Sequence, residues 1–476
     1  MTLWSGARWE GAIFYAALVV VILAPLPLGS NRSWAVALLA CALLPLNTLM
    51  AARLWWSGRP IGERIAGIGW PLACILSIAL LQLAQICGGT GFAWGAGRIG
   101  SLDPFQTRQM LLVTLVCASA FVIVATLGRA AHRLRNALLV LLAGGVVQAG
   151  IAIVLWSTHA HYQFMFHEVD HSGPALGTFA NRNHLACSLY LSLSAGFGAL
   201  VHSMLRHQAA RPEHGTSWRR DFAAGALAFL LSPRMLIRLS LMLIVMALVL
   251  TRSRMGNTAF LTALLAAGVL AAWKIRELRG AAIALVVSIV AIDGLVVGQW
   301  IGVDQVVRRI EQTSVKRVDG GPEESLEARS EAGRRAWSLV ARKPWFGTGS
   351  GTFYTAFPPL KTRGMALYFD HAHNDYAEIP ADIGLVGMSL MLTLVLATAA
   401  RAWHLLSDGN GPLARGAAVA TCMAIVALAL HSTVDFNLQI PANALMATVL
   451  LALTWAAPRL PARHRHRQSK LSKETN

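Results

Sequence analysis

The chain has 476 residues, of which 55% are hydrophobic and only 13% charged, yet it carries a formal net charge of +18. That balance, with a strongly positive mean hydropathy, excludes an ordinary soluble globular domain and a disordered chain, and points to a polytopic membrane protein. The six cysteines, Cys41, Cys74, Cys87, Cys117, Cys187 and Cys422, fall within or beside apolar runs without close pairs, so neither disulfides nor a cysteine metal site is expected.

In chain order, apolar runs near the ~20 residues that a helix needs to cross a bilayer lie at Ala12–Leu28, Ser33–Leu54, Ala66–Ile86, Gln109–Leu127 and Asn136–Trp156. Further runs follow at His184–His202, Leu236–Leu250, Asn257–Trp273, Ala281–Trp300, Ile379–Ala400, Leu413–Val434 and Ile440–Ala457. The expectation is an all-α polytopic membrane protein of about twelve transmembrane helices, with one large loop between the ninth and tenth. The first run is read as an uncleaved anchor rather than a signal peptide, because so many spans follow it. Phe222–Leu231 is too short to cross before Ser232, Pro233 and Arg234, and is read as interfacial. Residues 1–176, 177–300, 301–375, 376–457 and 458–476 are expected to form amino-terminal helices, core helices, a loop domain, carboxyl-terminal helices and a basic tail.

The short loops fix an expected orientation. With both termini cytoplasmic, Arg53, Arg59 and Arg64, then Arg129, Arg133 and Arg135, then the arginines of 206–238, then Lys274, Arg276 and Arg279, all lie inside. The opposite short loops hold only Arg32, Arg98, Arg108, Arg182, Arg252 and Arg254, as the positive-inside rule requires. Topology thus accounts for much of the net charge. No nucleic-acid partner is expected, and the basic face will attract anionic membrane lipid.

The polar segments carry the chemistry. In the histidine-rich segment Ser157–Arg182, His167, Glu168 and His171 match H-E-x-x-H, which needs two imidazoles one helical turn apart with the glutamate as base. Ser172, Gly173 and Pro174 follow at once, so a helix there has barely one turn and the match is read as chance. Arg252 and Arg254, in TRSRMGN at Thr251–Asn257, break the charge asymmetry. Charge at a membrane boundary is costly and tends to be functional or paired, and the arginine fork matches phosphate oxygens; snorkelling is the alternative.

The long segment Ile301–Asp375 has a charged helical stretch at Pro322–Arg342, then PWFGTGSGTF at Pro344–Phe353, whose glycines either let backbone approach a ligand or simply make a turn. DHAHNDYAEIPADIGLVG, Asp370–Gly387, joins this segment to an apolar helix. Asp375 and Glu378 read as a capping box, with His371, His373 and Asn374 just before the first turn. Unpaired N–H groups there favour an anion and disfavour a protonated imidazole. A neutral histidine beside a phosphate can act as general base; a polar surface turn is the alternative. His371 and His373 are discounted as a metal pair, and no metal is expected. In HSTVDFNLQIPAN, His431–Asn443, Asp435 either orients a basic partner or a sugar hydroxyl, or with Asn437 and Pro441 merely fixes a corner.

Taken together, GTFANRNHLA from Gly177, TRSRMG from Thr251, EARSEAGRRAW and KPWFGTGSGTF of the long segment, DHAHNDYAEIPADIGLVG and HSTVDFNLQIP resemble, in that order, the O-antigen ligase and polymerase family. The resemblance runs from about Gly177 to the last span and is most specific in HAHNDYAE and HSTVDF. It implies a bacterial inner-membrane glycosyltransferase, active on the periplasmic face, that moves a glycan from undecaprenyl pyrophosphate to an acceptor hydroxyl without metal, nucleotide sugar or other cofactor. By position, His373 resembles the family's catalytic histidine, and Arg254, with Arg252 beside it, the arginine that contacts the pyrophosphate. Arg329 best fits the spacing of a second family arginine, with Arg334 and Arg335 close by; the tryptophan usual four residues on is Gly333 here, and Trp337 stands further along. Asn181, Asn374, Asp375, Glu378, His431 and Asp435 are expected to support substrate or structure.

A transfer of this kind needs a base for the acceptor proton and positive charge for the departing pyrophosphate. The chain has no Asp-x-Asp pair, and its first external loop, Gly29–Arg32, has no acid, unlike the lipid-monophosphate transferases. The resemblance favours a ligase acting on lipid A-core; a polymerase of lipid-linked repeat units and a protein-glycosylating enzyme would share the donor site. A transporter of lipid-linked sugars is the alternative of another class. Against it stand the lack of an inverted repeat and, within the spans, of acids other than Asp293.

Overall fold

The computed structural model describes residues 6–56, 67–90, 98–160, 162–163, 167–168, 173–209, 233–284, 287, 326–361, 369–407 and 410–458. Each expected apolar run except Ala281–Trp300 falls on a described helix; most of that run, the interfacial segment Phe222–Leu231 and the basic tail lie outside the described residues. The helices are α1 (Gly6–Leu23), α2 (Ser33–Trp56), α3 (Gly69–Gly88), α4 (Pro104–Leu127), α5 (Ala131–Ser157), α6 (Arg182–Ala209), α7 (Pro233–Leu250), α8 (Arg254–Lys274), α9 (Leu326–Arg342), α10 (Asp375–Leu405), α11 (Pro412–His431) and α12 (Pro441–Ala456). Eight of them, α2 to α6, α8, α10 and α11, are long and apolar enough to cross a membrane. The apolar α1, α7 and α12 are shorter, at 18, 18 and 16 residues. The chain is an all-α multi-pass membrane protein.

Local chemistry sets the helix starts. Asp103 caps α4, its Oδ1 accepting from the N–H groups of Phe105 and Gln106 at 3.0 and 3.2 Å, and Pro104 occupies the first helical position, where a missing N–H costs nothing. Ser253 caps α8 by accepting from Gly256 N at 3.1 Å. Pro412 and Pro441 open α11 and α12 in the same way as Pro104.

The centre of the bundle is α6 against α11. Buried residues make up 83% of the most apolar stretch of α6. At the crossing, a Cβ on Gly198 would lie 2.5 Å from the Gly416 carbonyl oxygen, and one on Gly416 equally close to that of Gly198, so only glycine lets the two backbones meet. At one end of the bundle a second apolar cluster joins Ala332, Ala336, Leu339 and Val340 of α9 to Phe353, Phe357, Phe369 and Ala372, and seats them on Ala377 and Ala381 in the first turns of α10.

Helix α10 is broken. Gly384 has φ 68° and ψ 179° in mid-helix, which removes helical bonds on both sides, and the Pro344–Phe353 turn replaces them. Thr348 N and Gly349 N donate to the carbonyls of Ala381 and Asp382 at 2.9 and 3.0 Å, while Leu385 N and Val386 N donate to those of Pro344 and Trp345 at 2.7 and 3.3 Å. A Cβ on Gly347 would sit 2.3 Å from Asp382 O, and one on Gly384 2.2 Å from Trp345 O. Gly347 of this turn and Gly384 of α10 therefore stand backbone against backbone. Gln85 of α3 closes the joint, its amide donating to Phe346 O and Asp382 O at 2.6 and 3.0 Å.

Candidate functional site

The polar turn before α10 folds differently from the expected capping box. The N-cap is Asn374, whose Oδ1 accepts from Tyr376 N at 2.9 Å, and Asp375 is already helical. The Asp375 carboxylate is drawn away by buried donors of the segment after α11: its Oδ2 accepts from Ser432 Oγ at 2.7 Å and Leu438 N at 3.3 Å. Glu378 does reach back, but beyond the cap, to Ala372 N at 2.7 Å and His371 Nδ1 at 2.6 Å.

The two histidines of the turn have separate roles. Burial disfavours the charged form of His371, but the Glu378 carboxylate, with Asp370 and Asp382 beyond it, outweighs that and raises its pKa to about 9. At neutral pH His371 is thus an imidazolium paired with Glu378, which overturns the expectation of a neutral ring there: a contacting carboxylate outweighs the partial charge of a helix terminus. His373 is buried and held at φ 49°, a left-handed conformation uncommon outside glycine and found disproportionately at functional sites. Arg252, at φ 51°, shares this property.

Tertiary structure gathers three imidazoles around one carboxylate. Asp435 Oδ1 lies 3.6 Å from His373 Nδ1 and 3.8 Å from His184 Nε2, and Oδ2 lies 3.9 Å from His431 Nε2. All four side chains are buried. Burial alone would raise the Asp435 carboxyl, but the facing His184, His373 and His431 hold it well below the usual carboxylate range, so it is an anion. Phe436 fills the space between the rings. His371 stacks on it with centroids 3.9 Å apart, and His184 and His373 meet its ring edge-to-face at 4.7 and 4.9 Å. Sequence reading had singled out Asp435, His431 and His373 but not Phe436 or His184. The signal was available for His184, a polar residue opening an apolar span, and absent for Phe436, which looks like any core aromatic.

The TRSRMG corner joins this cluster through α6. Ser253 Oγ donates to Asn183 Oδ1 at 2.8 Å, Asn181 Oδ1 accepts from Asn183 N at 2.8 Å, and Asn443 Nδ2 donates to His184 O at 3.1 Å. Asn181 is therefore a local turn-former at the start of α6. Arg252 and Arg254 flank Ser253 and are exposed, with no carboxylate partner among the described residues.

Gly333 of α9 packs on Ala372 and Asn374, with contacts of 3.6–3.9 Å from the position a Cβ would take; the tryptophan expected there would collide with the histidine turn. Arg329 lies one turn earlier in α9, and its side chain lies outside what the structure describes. Arg334 is 75% exposed and bound to Glu331 at 2.7 Å, while Arg335 bonds Glu331 and Leu360 O at 2.6 and 3.0 Å. Both are occupied away from the cluster. Within the H-E-x-x-H match, His167–Glu168 is extended and pairs antiparallel with Tyr162–Gln163, whereas the zinc motif needs helix there. His171 and Asp293 lie outside the described residues. Asp382 is a buried acid within α10 that the count of acids in the spans had overlooked.

No curated protein matches the chain. Residues 239–392 match the family described as O-antigen ligase, a stretch that begins inside α7, takes in Arg252, Arg254, α9, the glycine turn and His373, and ends inside α10. The histidine-bearing corner at His431–Phe436 and the start of α6 lie outside the matched stretch and reach it only through the fold. On that match this stretch of the chain is similar to the O-antigen ligase family.

Proposed function

We propose that the chain transfers a glycan from undecaprenyl pyrophosphate to an acceptor hydroxyl at the periplasmic face of the bacterial inner membrane, and that the acceptor is lipid A-core. The observation that carries the reading is the His373–Asp435 arrangement at the end of the bundle that also holds the TRSRMG corner. With an Nδ1–H directed at the Asp435 carboxylate, the basic nitrogen of His373 is Nε2. As the acceptor oxygen bonds to the anomeric carbon, Nε2 takes its proton, and the bond from that carbon to the pyrophosphate oxygen breaks with its electron pair leaving on the pyrophosphate. Asp435 stabilises the imidazolium that forms. Arg252 and Arg254 supply charge for the departing pyrophosphate, with Arg329 as the loop arginine that joins them.

The discontinuity of α10 has a counterpart in transporters, where unwound backbone binds ions. Here the freed carbonyl and N–H groups are taken up by the glycine turn, which leaves enzyme chemistry as the better account of this end of the bundle.

The test is a paired gel of lipopolysaccharide and lipid-linked glycan from a deletion strain complemented with wild type or His373→Ala. Loss of polymer on lipid A with long undecaprenyl-linked chains accumulating is the expected result. Accumulation of single repeat units would assign a polymerase instead, and unchanged banding would remove His373 from the mechanism.

A further inference from the structure

Helix α9 turns one face into the loop cluster and the other to the outside. Ala332, Ala336, Leu339 and Val340 are buried, whereas Arg334, Trp337, Ser338, Ala341 and Arg342 form a single exposed stripe. Trp337 is 49% exposed, and Trp345, just past the helix end, is 57% exposed. Indoles so placed add little to the core. Arg334 bonds Glu331 at 2.7 Å, but an exposed pair of this kind holds weakly in water, and Glu331 keeps its bond to Arg335 at 2.6 Å when Arg334 turns elsewhere.

Trp345 marks where this stripe meets the bilayer. Val386 N donates to Trp345 O at 3.3 Å, and Leu385 and Val386 are exposed apolar residues that open the part of α10 beyond the break. That part, residues 385–405, is about 31 Å long, the thickness of the hydrocarbon layer. Its far end carries Trp403, which meets Trp273 edge-to-face at 5.3 Å and has Lys274 Nζ over its ring at 4.1 Å, the aromatic and basic residues of a membrane boundary. The break at Gly384 therefore stands at the opposite boundary, and the α9 stripe begins at the level of the lipid head groups there. Arg334 and Arg342, eight residues apart, are separated by about 12 Å along the helix axis, too far to share one phosphate. Trp337 lies between them and offers a flat apolar face with a polar edge. Cation, aromatic plate and cation in that order complement a disaccharide with a phosphate at each end. A glycerophospholipid, with its single phosphodiester, fills one end of the stripe.

We propose that the outer face of α9 docks a lipid-anchored disaccharide phosphorylated at both ends, with Arg334 and Arg342 on the phosphates and Trp337 on a sugar ring. That this lipid is the acceptor rests on the function proposed above, since lipid A is a disaccharide of that kind. On that reading Arg334 serves the acceptor and not the departing pyrophosphate, and Gly333 beside it packs on Asn374, next to His373.

The test adds bisphosphoryl lipid A, monophosphoryl lipid A and phosphatidylglycerol in equal amounts to the full chain in phosphatidylcholine nanodiscs and reads the retained lipid by native mass spectrometry. Bisphosphoryl lipid A should be retained at least about tenfold over either of the others. Arg334→Gln combined with Arg342→Gln should abolish that preference and raise the KM for lipid A-core about tenfold, and Trp337→Ala should weaken retention. Equal retention of the two lipid A forms by the wild type would overturn the proposal without reference to any variant. Displacement by phosphatidylglycerol would overturn it too, and would make the stripe a general anchor to anionic lipid. Should the wild-type preference hold while the deletion strain accumulates single repeat units, the ligase reading falls and the docking surface stands.

Discussion

At the scale of single residues the site depends on how charge is divided among histidines. Asp435 faces three imidazoles at 3.6–3.9 Å, and only its negative charge makes a protonated His373 tolerable at that depth. Asp435→Asn keeps the shape and removes the charge, so transfer should fall by about 10²–10³ while the protein still reaches the membrane, as a rate assay on purified protein with lipid-linked donor would read. His371 behaves oppositely. Its pKa rises from 6.5 to about 9 on folding, so its pairing with Glu378 stabilises fully below pH 6.5 and is lost as pH rises through about 9, up to about 3 kcal/mol in all. Melting temperature should therefore drop across that window, and the drop should be much smaller in Glu378→Gln. An equal slope in the variant would show that other groups set the alkaline limit.

At the scale of elements, the joint between the glycine turn and the broken α10 positions the chemistry. The turn replaces the bonds lost at Gly384, and the same short half-helix carries Asp375, Glu378 and Asp382 on its buried side. Gly384→Ala combines a φ of 68° with a Cβ placed 2.2 Å from the Trp345 carbonyl oxygen, backbone that cannot swing aside. It should cost about 3 kcal/mol or more and release the turn to limited proteolysis; a variant that melts with the wild type would mean that the joint is not under tension. The break itself was hidden in the sequence, because IPADIGLVG reads as continuous apolar helix with one tolerated proline. What betrays it is polarity elsewhere: Gln82 and Gln85, one turn apart in the apolar α3, both bond the glycine turn.

At the scale of the whole molecule, the proposed chemistry requires the end bearing α9 and the histidine turn to face the periplasm. With native cysteines replaced, a cysteine at Trp337, 49% exposed on α9, should react with an impermeant maleimide in intact spheroplasts, whereas one at Ser469 in the basic tail should react only after lysis. The reverse pattern would put the site on the wrong side for the proposed substrates. The helices and their order were legible in the sequence because hydrocarbon thickness and backbone satisfaction leave a chain this apolar little choice but helices of spanning length. The histidine turn and the arginine corner also stand out in the sequence, because their polar residues interrupt apolar runs where burial would be costly. Their assembly was not legible. His184, His373 and His431 are far apart in the chain, and Asp435 becomes their common counter-ion only when α6, α10 and α11 pack. A side chain's chemistry belongs to the sequence, whereas which charges a burial brings within reach is decided by how helices cross, and that decides which histidine carries a proton.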